Sequence, residues 1–108
     1  MARFDYLVVT LTDGYFVRVS GDVDLATAPQ LAEVLGQFAN GTLRVDLSEV
    51  TFLDSSGLRT LLHAHRDATR AGRRMVVCGP LHPLVQQAIA ITGLDAVLDF
   101  EENGEGTS

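Results

Sequence analysis

The most restrictive feature of this sequence is one stretch, residues 42–71, in which the spacing of core-type residues changes abruptly. From Thr42 to Ser48, apolar and charged residues alternate, which is typical of a β-strand with one buried face. A helical spacing of three and four residues then follows from about Gly57 to Ala71, with Leu58, Leu61, Leu62 and His65 expected to face the core. The stretch therefore predicts a strand that leads through a short connection into an amphipathic helix.

The connection between this strand and this helix carries one carboxylate and two hydroxyls, Asp54, Ser55 and Ser56. We expect Ser55 or Ser56 to be the helix N-cap, where a side-chain oxygen accepts hydrogen bonds from free backbone N–H groups. A helix N-terminus also favours anions, because its N–H groups are unpaired and its dipole is positive there. A serine at this point is therefore well placed to carry a phosphoryl group, although a simple capped helix explains the same residues.

The other segments predict strands and helices in the order β-β-α-β-α-β-α-β. Asp13-Gly14 separates two segments rich in β-branched and aromatic residues and predicts a hairpin. Thr27 is a good N-cap, and Pro29 suits the first turn of a helix. The other predicted strands are Phe4–Leu11, Tyr15–Ser20, Met75–Cys78 and Ala96–Phe100. The first predicted helix ends at Asn40-Gly41 and buries Leu31, Val34, Leu35 and Phe38. The third predicted helix lies between Pro83 and Gly93 and buries Leu84, Val85, Ala88 and Ile89.

This order predicts a small α/β fold: a mixed sheet of four to five strands with three to four helices, built from a hairpin and right-handed βαβ crossovers. The 108 residues suffice for one domain, which we expect to span residues 1–100. The run Met75–Cys78 is continuously apolar and predicts an inner strand. Residues 101–108 are polar and acidic, so we expect a flexible tail.

The charge of the chain excludes several functions. The net charge is −6, which opposes nucleic-acid binding because phosphate neutralisation needs a concentrated basic surface. The chain contains no lysine, so a P-loop, a Schiff-base enzyme and a receiver domain that pairs its acidic pocket with a lysine are all excluded.

Cysteine content and hydropathy predict the compartment. The single Cys78 cannot form an internal disulfide, and the N-terminus shows no basic region followed by an apolar core. The longest apolar run is too short to span a bilayer. We therefore expect a cytoplasmic protein that does not contact a membrane and is a monomer when free.

A serine hydrolase is an alternative, with Ser55 or Ser56 as nucleophile and a histidine as base. It is disfavoured because the Gly-x-Ser-x-Gly elbow is absent and because two of the histidines, two residues apart on a helix, point to different sides. We expect His65 to be a hydrogen-bonded core residue, and Cys78 with His82 is too small a set for a metal site. No catalytic residue, metal or cofactor is predicted. The histidines considered as base are His63, His65 and His82.

Four cationic or titratable residues form a stripe along the predicted second helix: Arg59, His63, Arg66 and Arg70. The stripe is either a solvated helix face or a docking surface. Its first member lies four residues after Ser55, within reach of a phosphate at the helix start. Two further acids, Asp22 and Asp24, follow the hairpin and either end the strand and cap the next loop or take part in binding.

Three stretches together resemble the STAS domain, and within it the stand-alone bacterial anti-sigma factor antagonists. The second stretch is fairly specific, and the resemblance extends over nearly the whole chain. They are Gly21-Asp22-Val23-Asp24 with Thr27-Ala28, Val45-Asp46-Leu47-Ser48 through Val50-Thr51-Phe52-Leu53-Asp54-Ser55-Ser56-Gly57-Leu58, and Thr92-Gly93-Leu94.

The resemblance implies a partner switch. The unmodified protein would bind an anti-sigma factor that is also a serine kinase and so free a sigma factor, until the kinase phosphorylates the first hydroxyl after the aspartate, here Ser55, with Ser56 as the alternative. A phosphatase would restore the active form. Partner contacts are implied at Asp22, Asp24, Asp54, Ser56, Gly57 and Arg59.

One departure from the family pattern is Gln86-Gln87, which stands where relatives often carry arginine. The resemblance also allows a second function: an unphosphorylated accessory subunit of a transport or lipid-export ATPase complex. In either case the expected role is binding rather than catalysis.

Overall fold

A five-stranded mixed sheet organises the protein. The computed structural model describes residues 3–38 and 40–101. Within these ranges the strands are β1 (Asp5–Leu11), β2 (Gly14–Val23), β3 (Thr42–Leu53), β4 (Arg74–Cys78) and β5 (Asp99–Glu101), and the helices are α1 (Ala28–Leu35), α2 (Ser55–Arg70) and α3 (Pro83–Ile91). A short 3₁₀ turn, Leu94–Ala96, follows α3. The strands lie side by side in chain order, and the predicted β-β-α-β-α-β-α-β succession is confirmed.

The first two strands form the predicted hairpin, and all later neighbours pair in parallel. Leu11 faces Gly14, so the two loop residues are Thr12 and Asp13 rather than Asp13-Gly14. Gly14 has a φ of 152°, and a Cβ there would collide with the backbone of Thr42. A glycine is therefore required where the hairpin passes the start of β3.

The core lies between the sheet and the helices. The apolar positions predicted for α1 and for the start of β3 are buried, and all of Met75–Cys78 is buried in β4, which lies between β3 and β5 as predicted. In α3 only a narrow strip, Val85 and Ile89, is fully buried. Leu84 is 57% exposed, so its predicted core position is wrong: successive helix residues point about 100° apart, and its neighbour Val85 takes the inward direction.

Strand β3 is longer than predicted, and this changes where α2 begins. It continues past Ser48 to Leu53, with Val50 and Leu53 buried and paired with β2. Two register shifts in the β2–β3 pairing interrupt the alternation on which the prediction relied. Because the strand ends only at Leu53, α2 begins at Ser55 rather than at about Gly57.

Two other boundaries also differ from the prediction. Helix α1 ends at Leu35 with Gly36 as its C-cap, several residues before Asn40-Gly41, because glycine is a poor helix former. The last strand begins at Asp99 rather than Ala96, because the 3₁₀ turn occupies the preceding residues. Glu101, predicted to begin the tail, pairs with Cys78 in β5, and the rest of the predicted tail, residues 102–108, lies outside the described residues.

Asp46 is the buried charge that the alternating pattern of β3 did not predict. The pattern places it on the exposed side of the strand, but it is only 3% exposed. Its Oδ2 accepts a hydrogen bond of 2.8 Å from Nε of Arg18 on β2, and its Oδ1 accepts one from the Ser48 N–H. This pairing raises the pKa of Arg18 above its usual value. Cross-strand pairing with arginine therefore explains how a carboxylate is tolerated there.

Candidate functional site

The candidate site forms where two parallel strands end side by side. Asp22 faces Phe52 and Val23 faces Leu53 in the β2–β3 register. The Asp54 N–H then donates a hydrogen bond of 3.2 Å to the Val23 carbonyl. The carboxyl ends of β2 and β3 therefore bring together two segments that are distant in sequence, residues 22–27 and 54–59.

Asp54, not a serine, is the N-cap of α2. Its Oδ1 accepts hydrogen bonds from the N–H groups of Ser56, at 2.9 Å, and Gly57, at 3.2 Å. The prediction of a serine N-cap is therefore wrong. The physical reason is the extension of β3: the residue with extended backbone immediately before the helix is Asp54, whose ψ is −172°.

This arrangement separates the two serines. Ser55 is the first residue of α2, is exposed, and its hydroxyl makes no hydrogen bond within the described residues. Ser56 is half-buried, its N–H is bonded to Asp54, and its carbonyl accepts a hydrogen bond from the Thr60 hydroxyl. Of the two hydroxyls, that of Ser55 is the more accessible to another protein.

Asp24 fixes the neighbouring loop in a similar way. Its Oδ1 accepts hydrogen bonds from the N–H groups of Ala26, at 2.9 Å, and Thr27, at 3.1 Å. Thr27 is the N-cap of α1 as predicted, but its hydroxyl bonds back into the loop, donating to the Asp22 carbonyl and accepting from the Asp24 N–H. The Asp22 carboxylate accepts a hydrogen bond of 2.7 Å from the Thr51 hydroxyl on β3. Both acids thus hold the loop in place while remaining partly accessible.

Gly57 sets how closely the start of α2 approaches the sheet. It is buried, and a Cβ added there would lie 2.5 Å from Cδ1 of Leu53 and 2.9 Å from Cγ1 of Val23. Both distances are shorter than real carbon contacts, so a larger residue would force Leu53, Val23 or the helix start to shift. The structure therefore places Gly57 beneath the surface that carries Ser55, not on it.

The cationic stripe begins near the site and runs away from it. Arg59 is exposed and has no ion pair or hydrogen bond from its side chain within the described residues. His63, Arg66 and Arg70 are exposed as well, and Arg70 approaches Asp67 at 3.9 Å in an exposed pair. Of the stripe, only Arg59 lies on the first turns of α2 near Ser55.

Two exposed apolar side chains beside the acids were missed from the sequence. Leu25, directly after Asp24, is 77% exposed, and Phe52, paired with Asp22, is 45% exposed. The available signal for Leu25 was an apolar residue in an otherwise polar turn, whereas Phe52 gave no signal because residues 50–53 are mostly apolar. Large exposed apolar side chains at the same end of the sheet mark a surface that another protein can cover.

Within the described residues, the structure does not bring the three histidines into hydrogen bonds with Ser55 or Ser56. His82 instead caps α3 by accepting the Leu84 N–H at 3.1 Å. His65 lies on the inward side of α2, but its buried Nδ1 has no partner in the described part of the chain, so the predicted hydrogen bond is wrong.

The Cys78 thiol is also poorly placed to act as a nucleophile. Cys78 is fully buried, and burial, reinforced by Glu101 and Asp46, raises its pKa to about 11. Residues 3–38 and 40–101 contain no group of side chains arranged to hold a metal ion. No helix in these ranges is long and apolar enough to cross a membrane.

The fold is that of a STAS domain. The family model described as "Mlab, STAS domain" matches residues 10–99, and the chain belongs to this family. Among its relatives, the anti-sigma-B factor antagonist of Listeria monocytogenes is 34% identical over 98 residues, which cover 88% of this chain and 84% of the relative.

Solved structures agree with this assignment. The anti-sigma factor antagonist from Mycobacterium paratuberculosis has a TM-score of 0.82 and 28% identity, covering 95% of this chain and 89% of its own. The anti-sigma factor antagonist SpoIIAA in its unphosphorylated form has a TM-score of 0.73 over 94% of this chain and 91% of its own, and at 20% identity it bears on the fold alone. The predicted family and fold class are therefore confirmed, and the relatives are regulators rather than enzymes.

Proposed function

We propose that this protein is an anti-sigma factor antagonist that is controlled by phosphorylation at Ser55. The unphosphorylated form binds an anti-sigma factor of the serine-kinase type and thereby releases a sigma factor. Phosphorylation by that kinase ends the interaction, and a phosphatase restores it. The observation that carries the proposal is an exposed, unbonded Ser55 hydroxyl directly after an aspartate that already occupies the helix cap.

The position of Asp54 explains why a phosphate would act strongly. Two backbone donors that an anion at a helix start would ordinarily use, the N–H groups of Ser56 and Gly57, are bonded to the Asp54 carboxylate. A phosphoryl group on Ser55 would add about −1.5 to −2 charges beside that carboxylate. A partner that covers this surface would have to bury both charges, and each ~1.4 kcal/mol of that cost lowers affinity about tenfold.

The proposed binding surface consists of Leu25, Phe52, Asp22, Asp24 and Ser55. The two apolar side chains supply area that a partner can remove from water, and the acids around them supply direction and discriminate among partners. Such a surface suits a partner with an apolar pocket bordered by cationic side chains. Arg59 extends the surface along α2, where its charge can meet a phosphate or an acid of the partner.

The test is phosphorylation and binding with the same purified components. The chain is incubated with ATP and the kinase-type anti-sigma factor of its own organism, the modified residue is mapped by mass spectrometry, and affinity is measured by calorimetry before and after. Ser55→Ala should bind and resist modification, whereas its matched control Ser56→Ala should be modified normally. Modification confined to Ser56, or unchanged affinity after modification of Ser55, would contradict the proposal.

A second candidate function is the accessory subunit of a transport or lipid-export ATPase complex. The apolar exposure of Leu25 and Phe52 favours it equally, because such a surface can dock on a partner whether or not Ser55 is modified. Co-purification with an ATPase, together with an unmodified Ser55 in cells, would select this function over the first.

A further inference from the structure

The outer edge of β1 is open, and Asp5 at its start is the one charged residue of the strand. This strand is the first in the sheet order, so within the described residues no strand pairs with its outer side. Four consecutive apolar or aromatic side chains are exposed on it: Tyr6 at 44%, Leu7 at 55%, Val8 at 37% and Val9 at 41%. Natural edge strands are usually protected by lysine, proline, a bulge or a short length, and residues 6–12 contain none of these residues. Such an edge is a template for another strand.

The direction of the free backbone groups can be read from two contacts. The Tyr6 N–H donates to its neighbour's carboxylate, Asp5 Oδ1, at 2.8 Å, so it points away from β2. Leu11 and Gly14 close a two-residue hairpin loop and so form a hydrogen-bonded pair. Since bonding alternates along an antiparallel strand, the N–H and C=O groups of Tyr6, Val8 and Thr10 face the open edge.

A second copy of the chain can form hydrogen bonds with these outward N–H and C=O groups. Its β1 then pairs antiparallel with the β1 of the first copy, and the two-fold axis passes through Val8. Val8 then faces the second copy's Val8, and Tyr6 faces its Thr10, so every outward N–H and C=O of these residues has a partner. Leu7 faces Val9 of the second copy on the other side of the sheet. The register is self-complementary, as a two-fold interface requires.

Charge also favours a second copy in this register. In a chain of net charge −6, most surfaces repel their own copies, whereas residues 6–12 carry no formal charge. The nearest charge beyond the end of the strand, Asp13 in the hairpin loop, is paired with Arg44 of its own copy at 3.3 Å. Asp5 is the one local obstacle, because its carboxylate must release the Tyr6 N–H.

We propose that this protein forms a homodimer in which the β1 strands of two copies pair antiparallel, centred on Val8. The monomer expected from the sequence is thereby replaced by a reversible dimer. One seven-residue strand is well short of the ~20–30 residues per side of a standard interface, so the association depends on concentration. The two-fold axis reverses the strand direction, so the carboxyl ends of the two β3 strands, where the Ser55 sites lie, point to opposite ends of the joined sheet. The proposal does not depend on the proposed function.

Sedimentation velocity on the whole chain over a wide range of concentrations is the first test. The mass should rise from 11.6 kDa towards twice that value. Val8→Lys places two like charges opposite each other on the axis and should weaken dimerisation at least about tenfold. Val97→Lys makes the same charge change at a side chain that is 46% exposed outside β1, and should leave dimerisation unchanged. Circular dichroism checks that both variants are folded.

Disulfide trapping tests the register. Val8→Cys should cross-link to itself under mild oxidation, since hydrogen-bonded antiparallel partners have Cα atoms about 5.5 Å apart, within disulfide range. Leu7→Cys alone should not, but a mixture of Leu7→Cys and Val9→Cys should cross-link. The native Cys78 does not interfere because it is fully buried. A chain that is monomeric at every concentration, a dimer that persists in Val8→Lys, or equal cross-linking of Leu7→Cys and Val8→Cys would each overturn the proposal.

Discussion

Two neighbouring turns of this molecule use the same device for different purposes. After β2, the Asp24 carboxylate accepts hydrogen bonds from two backbone N–H groups, and after β3 the Asp54 carboxylate does the same. In both turns the residue directly after the aspartate is exposed. That residue is Leu25 in the first turn and Ser55 in the second.

The difference lies in what each turn presents to a partner. The first holds a large apolar side chain in water, which is useful only when another protein covers it. The second holds a hydroxyl whose modification would place a charge beside an existing carboxylate. Under the proposed function, one turn therefore supplies affinity and the other controls whether that affinity can be used.

The largest effect should come from phosphorylation of the second turn. We expect phospho-Ser55 to lower affinity for the anti-sigma factor about a thousandfold, or ~4 kcal/mol, because a dianion beside Asp54 must lose its water on binding. Calorimetry with the enzymatically phosphorylated chain measures this. Ser55→Glu should lose at least about tenfold, since a single carboxylate is an incomplete substitute. Equal affinities of the modified and unmodified chains would show that phosphorylation of the second turn does not control binding.

The first turn should contribute the next largest effect. Leu25→Ala should weaken partner binding by about 2 kcal/mol, roughly thirtyfold, if Leu25 fills an apolar pocket of the partner. The matched control is Leu84→Ala, another exposed leucine, on α3, which should leave affinity unchanged. Both variants should unfold at nearly the wild-type temperature. A loss of affinity that is equal in the two variants would show that Leu25 is no specific anchor.

The two capping aspartates should differ in their effect on folding. Asp54→Ala should destabilise the protein by about 1 kcal/mol, because the first turn of α2 loses its only side-chain cap. Asp24→Ala should cost less, since Thr27 still bonds the Asp22 carbonyl and the residue 24 N–H. Urea unfolding compares them, with Asp54→Asn as the control that keeps the Oδ1 acceptor. A larger loss in Asp24→Ala would reverse the comparison.

The smallest effect should appear at Arg59. If its guanidinium reaches phospho-Ser55, Arg59→Ala should destabilise the phosphorylated form more than the unmodified form, by about 0.2–1 kcal/mol. Thermal melts of both forms at low and high salt measure this, because salt weakens such a pair. Unchanged melts with weaker partner binding would instead make Arg59 a contact residue, and no change in either would leave the stripe as a solvated helix face.

Much of the fold follows from periodicity alone. The alternation at Leu43, Val45 and Leu47 and the helical spacing at Leu58 and Leu61 predicted the buried faces correctly. Asp46 was misplaced because its burial depends on Arg18, whose position beside it results from strand pairing that no local pattern reports. The length of β3 was underestimated for the same reason, since the register shifts opposite β2 are a property of the sheet.

The site was predicted in its residues but not in its arrangement. Aspartate and serine are almost equally good N-caps, so the sequence could not decide among Asp54, Ser55 and Ser56. The choice depends on where β3 ends, which is fixed by the pairing of Leu53 with Val23. Leu25 and Phe52 were missed because a large apolar residue is ordinarily assigned to the core, and only the structure shows their exposure.

The close contact at Gly57 bears on how fast the proposed switch responds. Because Leu53 and Val23 leave no space for a Cβ at Gly57, the start of α2 packs directly on the sheet and carries Ser55 on its exposed side. A phosphoryl group attached there would be presented to the partner without a prior rearrangement of this chain. The time course of the response should then follow the turnover of the kinase and the phosphatase, with no lag from a slow conformational step.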